Sequence, residues 1–218
     1  MKSTIYIYTH ALPFLLLFAL SSQPLLRSAE ASPDQVIDTS GKKLRADASY
    51  YIIPDKPFTT CGFVSCFNSG GIALETVGES CPLDVVVVKH NQGLPLRFTP
   101  VNDKKGVIRV STDLNIKFSD DAYDSRCPND SLVWKIDPFS KEETFVTTNG
   151  VLGYPGSNTI YNWFQIEKYE DDYKLVYCPN VCPSCNHACK DVGIYVYKTR
   201  EMRLALTNVA FKVKFQKA

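Results

Sequence analysis

Eight cysteines, Cys61, Cys66, Cys81, Cys127, Cys178, Cys182, Cys185 and Cys189, constrain this chain more than any other feature of its sequence. Their chemistry depends on the compartment, and the amino terminus indicates which one. Lys2 precedes an apolar run over residues 11–20 that is shorter than the roughly 20 residues of a membrane-spanning helix. With the small-residue pattern Ala29-Glu30-Ala31 it reads as a secretory signal peptide, cleaved after Ala31 or as early as Ser22. Residues 1–31 are therefore set aside, and 32–218 are treated as one mature domain with no membrane segment. An even number of thiols in an oxidising compartment predicts disulfides, here four.

The spacing Cys178-x3-Cys182-x2-Cys185-x3-Cys189 also matches a zinc knuckle. Export argues against thiolates that stay reduced, so neither a metal nor a cofactor is expected. The same near-palindromic spacing allows an outer Cys178–Cys189 bridge and an inner Cys182–Cys185 bridge to nest across one hairpin. Sequence alone does not select that choice among roughly a hundred pairings.

Runs rich in β-branched and aromatic residues, broken by Gly, Pro, Asn and Asp, predict strands over 50–53, 84–89, 96–99, 107–110, 114–118 and 132–136. Six more are expected over 144–147, 163–167, 173–177, 193–197, 203–206 and 211–215. Leu114-Asn115-Ile116-Lys117-Phe118 and Phe211-Lys212-Val213-Lys214-Phe215 alternate with period two, so each covers a core with one face. Asp84-Val85-Val86-Val87-Val88 does not alternate and reads as buried on both faces or packed against a neighbouring segment. No window after the signal peptide has a helical period. A dozen short strands with regular turn signals predict an all-β barrel or sandwich.

Charge and histidine content exclude several functions. Removing residues 1–31 takes away Lys2, Arg27 and Glu30 and leaves 22 basic and 22 acidic residues, which supplies no basic field for nucleic acid. Only His90 and His187 remain as histidines, and no nucleophile elbow, metalloprotease helix, phosphate loop or dinucleotide fingerprint accompanies them. The acidic runs Asp120-Asp121 and Glu170-Asp171-Asp172 read as solvated loop charge rather than glycosidase carboxylates. Trp134 and Trp163 lie in strand patterns and are expected in the core. No enzyme is expected. Asn129-Asp130-Ser131 is an N-glycosylation sequon, in keeping with export.

Five ordered segments resemble the plant Kunitz-type inhibitors of the soybean trypsin inhibitor type, especially the miraculin-like branch. The amino-terminal signature reads Val36-Ile37-Asp38, Gly41, Leu44 and Tyr50-Tyr51-Ile52. Cys81-Pro82-Leu83-Asp84-Val85-Val86-Val87 resembles the first half-cystine strand, and Val110-Ser111-Thr112-Asp113-Leu114-Asn115-Ile116-Lys117-Phe118 the segment after the inhibitory loop. Trp163-Phe164-Gln165-Ile166-Glu167 resembles a late core strand, and Tyr173-Lys174-Leu175-Val176-Tyr177-Cys178-Pro179 with Asp191-Val192-Gly193-Ile194-Tyr195 the carboxy-terminal part.

The resemblance implies a β-trefoil, twelve strands forming a six-stranded barrel capped by three hairpins in pseudo-threefold symmetry. It implies the bridges Cys81–Cys127, Cys178–Cys189 and Cys182–Cys185, with Cys61–Cys66 as a further local pair. In the chain-entropy account the long Cys81–Cys127 loop contributes roughly 4 kcal/mol. The resemblance further implies a secreted or vacuolar defence protein that inhibits trypsin-like serine proteases through a substrate-like loop. The loop is Asn102, Asp103, Lys104, Lys105 and Gly106, with the reactive bond near Lys104-Lys105. Other members are non-inhibitory trefoils for storage, taste-receptor or carbohydrate binding, or inhibit cysteine proteases. Where trypsin-inhibiting members have a loop-supporting Asn this chain has Ala46. The amide that braces the loop carbonyls is absent, which the resemblance ties to weaker, redirected or lost inhibition.

Overall fold

A computed structural model of the chain describes residues 32–57, 59–61, 66–76, 81–102, 106–122, 126–140, 143–196 and 201–218. The segment read as a signal peptide lies outside them. Thirteen strands form among these residues: β1 (Tyr50–Pro54), β2 (Thr59–Cys61), β3 (Cys66–Glu75), β4 (Asp84–Lys89), β5 (Leu96–Pro100), β6 (Leu114–Phe118), β7 (Lys135–Ile136), β8 (Val146–Thr147), β9 (Gln165–Tyr169), β10 (Asp172–Tyr177), β11 (Lys190–Val196), β12 (Met202–Thr207) and β13 (Val213–Lys217). Short 3-10 helices occupy Asp120–Ala122 and Ser157–Asn162. No helix among the described residues is long and apolar enough to cross a membrane.

Pairing follows the alternation. β1 lies between β13 and β5, β5 pairs with β6, and β10 joins β9 to β13, all antiparallel. The ring closes where Leu114 of β6 bridges Phe164, immediately before β9. Six strands thus form a barrel without a free edge. The hairpins β3–β4, β7–β8 and β11–β12 cap it and pair with one another: Met202 opposite Val87, Asp84 opposite Thr147, and Phe145 opposite Ala205. Each third of the chain therefore gives two strands to the barrel and one hairpin to the cap, which is the β-trefoil.

Twelve of the strands make up that plan, and β2 is an addition paired with the start of β3. β3 has no counterpart in the expected strands, because Asn68-Ser69-Gly70-Gly71 reads as a turn. The structure uses it as strand with a register shift between Ser69 and Ile72. A Cβ on Gly71 would stand 1.9 Å from the Gln92 carbonyl oxygen, so the glycines serve close backbone approach. Conversely, residues 107–110 form no ladder and make single bridges, Arg45 to Val107 and Gln35 to Arg109. Val85, Val86 and Val87 are buried on both faces because β4 is flanked by β3, β8 and β12.

The core is aromatic. Phe98 packs between Tyr50 and Phe215 at centroid distances of 6.2 and 5.5 Å, and Trp134 between Phe118 and Phe164 at 5.8 and 6.0 Å. Trp134 and Trp163 are both fully buried, as their strand context predicts. In the cap, buried Asp84 receives a hydrogen bond from Arg203, whose guanidinium carbon lies 3.5 Å from the centroid of the Phe145 ring. The structure forms the bridges Cys81–Cys127, Cys178–Cys189 and Cys182–Cys185, which consumes the four thiols of the alternative zinc reading. Cys61 and Cys66 stand directly opposite in the β2–β3 ladder, and their side chains lie outside the described ones.

Removing a ring from this core should be costly. Phe98→Ala is expected to lower stability by about 3–5 kcal/mol, read as a fall in the urea midpoint, whereas Phe139→Ala, at a residue 89% exposed, should change it by less than about 0.5 kcal/mol.

Candidate functional site

The segment joining β5 to β6 leaves the barrel at Pro100, opposite Leu114. The Val101 N–H donates to the Asp113 carbonyl at 2.8 Å, which holds the outgoing end. Asn102 is exposed, and Asp103, Lys104 and Lys105 lie outside the described residues. Gly106 resumes the chain at φ 59°, a left-handed conformation that favours glycine, and its carbonyl accepts a 2.9 Å hydrogen bond from the Ala46 N–H.

The returning half rests on the amino-terminal segment. Ile108 donates to the Leu44 carbonyl and accepts from the Val36 N–H, both at 3.0 Å, and all three side chains are fully buried. Arg109 Nη1 donates to the Pro33 carbonyl at 2.7 Å. The support is itself rigid. Asp38 Oδ1 accepts hydrogen bonds from the Ser40 N–H and hydroxyl and from the Lys42 N–H, at 2.7–2.9 Å. Burial opposes ionisation of Asp38, but these donors outweigh it and hold the carboxyl below its ordinary value. Tyr50 Oη accepts from the Arg45 N–H at 3.0 Å and Tyr173 Oη from the Ile37 N–H at 2.9 Å. Ala46, partly buried against the core, thus holds Gly106 through its main chain. A side-chain comparison does not reveal that contact.

Two polar residues flanking Leu114 are further supports that the sequence reading missed. Asp113 is buried; its carboxylate accepts from Gln165 Nε2 at 2.7 Å and from the Asn180 N–H at 2.8 Å, while Gln165 Nε2 also donates to the Cys178 carbonyl at 2.8 Å. The loop base is thereby tied to the segment carrying the Cys178–Cys189 and Cys182–Cys185 bridges. Burial raises the Asp113 carboxyl above its ordinary value, against the lowering by Gln165 and the N–H groups of Asn180 and Val181. Asn115, fully buried, accepts from the Gly153 N–H at 2.7 Å and donates to the Asn162 carbonyl at 2.8 Å; Asn162 Nδ2 donates to the Val151 carbonyl at 3.3 Å. These amides brace the neighbouring turn, which presents Leu152 and Tyr154 to solvent. Asn115 lies with Lys117 on the face of β6 opposite Leu114, Ile116 and Phe118, so alternation places it outward, and its full burial against the neighbouring turn leaves no signal in the sequence.

The other candidates stay apart. Asn129 is exposed in the turn that follows Cys127. His187 Nδ1 lies 3.1 Å from the Cys185 carbonyl, and His90 occupies the turn after β4. Asp120 pairs with Lys117 at 2.6 Å. Asp55, Asp171 and Asp172 converge, but Lys212 and Lys214 occupy the space between them. Hydrogen bonding to Lys214, above all, holds the Asp55 carboxyl far below its ordinary value. The group is a cluster of ion pairs in which Lys212 and Lys214 hold the carboxylates.

The sequence pattern that defines the legume Kunitz family, described as trypsin and protease inhibitor, matches residues 36–217. Miraculin of Synsepalum dulcificum is 39% identical over 211 residues, which cover 92% of this chain and 91% of that protein. Kunitz trypsin inhibitor 5 of Arabidopsis thaliana is 38% identical, over 88% of this chain and 89% of its own. Among solved structures, a Kunitz-type cysteine protease inhibitor from potato superposes with a TM-score of 0.67 at 33% identity, over 85% of this chain and 98% of that one.

Two outcomes test these supports. Asn115→Ala leaves the Gly153 N–H and the Asn162 carbonyl without their partner and should cost about 1–3 kcal/mol, with faster hydrogen exchange at Gly153. The folded Asp113 carboxyl still binds its proton at pH values where the unfolded chain, with a carboxyl near 4, has released it. Its contribution is therefore most favourable below about pH 4 and is lost as pH rises through the raised folded value. Urea midpoints measured across pH 3–7 should lose this downward component in Asp113→Asn.

Proposed function

Since the chain belongs to the Kunitz family of trypsin and protease inhibitors, we propose that it is a secreted or vacuolar inhibitor of trypsin-like serine endopeptidases acting through the loop around Lys104-Lys105. Members of this family are inhibitors or non-enzymatic relatives, and the chain is not an enzyme. The observation that carries the proposal is the clamping of both loop ends by main-chain hydrogen bonds, Val101 to Asp113 at 2.8 Å and Ala46 to Gly106 at 2.9 Å. A segment fixed at both ends has lost much of its conformational entropy before it meets a protease, which lowers the cost of binding.

In this reading Lys104 enters the specificity pocket, where its ammonium pairs with an acidic floor. The peptide bond to Lys105 then lies before the protease nucleophile. The clamped ends keep the Lys105 amine beside the Lys104 acyl-enzyme ester, so that its attack re-forms the peptide bond and releases the serine hydroxyl ahead of water, and the loop leaves intact. Likeness to the potato cysteine protease inhibitor supports a second reading, in which a cysteine protease is held by another loop.

Titration of active trypsin with the oxidised mature protein should give a linear fall to an equivalence point. Lys104→Ala with Lys105→Ala should weaken inhibition by about 2–5 kcal/mol, or about 30-fold to several thousandfold, while the unfolding midpoint stays unchanged. Undiminished inhibition in that variant removes the assigned site, and no inhibition by the wild type together with block of papain selects the second reading. Ala46→Asn adds an amide beside the loop and should tighten trypsin binding by about one hydrogen bond, roughly fivefold.

A further inference from the structure

The amino-terminal segment that supports the candidate loop also walls a recess of about 400 Å³, bordered by the start of β1 and the end of β13. Four cations line it, Lys42, Lys43, Arg45 and Lys217, against two carboxylates, Asp38 and Asp47. An excess of two positive charges thus gathers at one place, on a chain whose residues 32–218 balance 22 basic against 22 acidic groups. The backbone fixes where these cations stand. The Asp38 N–H donates to the Lys42 carbonyl at 2.7 Å and the Gly41 N–H to the Asp38 carbonyl at 2.9 Å, with Gly41 at a left-handed φ of 78°, so Lys42 leaves from a closed turn. Lys43 and Arg45 make single bridges to Ile37 and Val107, and Leu44 between them is fully buried. Residues two apart in extended backbone share a face, so burying Leu44 turns both cations outward together. Lys217 stands opposite Tyr50 in the β1–β13 ladder.

Both acids are already engaged. Asp38 is buried with its Oδ1 held by Ser40 and the Lys42 N–H, and Asp47 pairs with Arg45 at 3.4 Å. Lys42, Lys43 and Lys217 form no ion pair among the described residues. The recess also contains a neutral donor. Tyr50 is only 2% exposed and its Oη accepts from the Arg45 N–H at 3.0 Å, while its own hydroxyl proton has no acceptor among the described residues. Burial raises the phenol above its ordinary value, so that proton stays in place.

We propose that this recess binds a phosphomonoester. Such a group carries about −1.5 to −2 charges at neutral pH and three strong acceptor oxygens, which answers the excess of two positive charges around the recess. Lysine ammonium groups meet phosphate as point charges from several directions, and the Tyr50 hydroxyl donates to a further oxygen. The volume exceeds that of the phosphate itself and admits part of the body that carries it. Because the cations are gathered into one recess, a compact ligand satisfies them, whereas a nucleic-acid backbone needs an extended row of contacts.

Isothermal titration of the oxidised mature protein with phenyl phosphate, and with phenyl sulfate as its singly charged counterpart of the same shape, tests the assignment. Phenyl phosphate should bind about fivefold or more tightly than phenyl sulfate, with an affinity that falls as salt rises. The double variant Lys43→Gln, Lys217→Gln should weaken that binding by about tenfold or more, with the unfolding midpoint and the trypsin titration unaltered. Phosphatidylcholine vesicles with and without phosphatidic acid, a lipid that carries the same group, separate the sources. Added binding to phosphatidic acid assigns a lipid headgroup as well as a free ligand, and binding of phenyl phosphate alone assigns a soluble one. The proposal is overturned if phenyl phosphate does not bind at about 10 mM, a concentration that reveals even weak specific affinities. It is equally overturned by equal affinity for phenyl sulfate, or by binding that survives the double variant.

Discussion

Two reciprocal hydrogen bonds of 2.9 Å between Leu114 and Phe164 close the barrel, and the residues on either side of Leu114 carry the rest of the architecture. Alternation turns neighbouring side chains in opposite directions, so one short stretch can serve three purposes. Asp113 reaches the cystine segment through Gln165 and Asn180. Asn115 reaches the turn that follows Gly150. The candidate loop hangs between the partner strand and this stretch, held by Val101 on Asp113 at its outgoing end. Loosening the closure would release the barrel, both braces and the loop together.

This arrangement explains how the two ends of the segment are held although little regular backbone surrounds them. The segment from 33 to 48 contains only isolated bridges, yet Val36, Leu44 and Ile108 are fully buried and their main chains bond to one another. Small apolar anchors and a side-chain-capped turn at Asp38 do what a ladder does elsewhere. Charge is organised on the same principle of local compensation. Lys212 gathers Asp55, Glu170, Asp171 and Asp172 around one ammonium, and Arg203 answers Asp84 in the cap.

Much of the barrel was legible because period-two patterning is a direct image of one buried face. β13 follows it residue by residue and β6 follows it except at the buried Asn115, and Trp134 and Trp163 are buried as expected, each beside a strand rather than in one. β3 was illegible because Gly70-Gly71 carries the same signal in a turn as in a strand pressed against another backbone. Residues 107–110 have strand composition but meet only single partners, since the amino-terminal segment beneath them is itself irregular. The candidate loop rests on family resemblance alone, and the bond from the Ala46 N–H to the Gly106 carbonyl was hidden because a main-chain N–H leaves no mark on side-chain identity.

By itself the sequence determined the strand content, the balance of charge, the oxidised state expected of the cysteines and the family whose pattern spans residues 36–217. These depend on composition and short-range pattern, which are local properties of the chain. Tertiary structure alone decided which amides brace which turns and how the two ends of the loop are held, and it formed the three bridges that the resemblance implied. Several of those contacts join residues far apart in the chain, 38 positions between Asn115 and Gly153 and 67 between Asp113 and Asn180. Only closure of the barrel brings such residues within hydrogen-bonding distance, because the ordering entropy of each contact is met by the burial of the whole core.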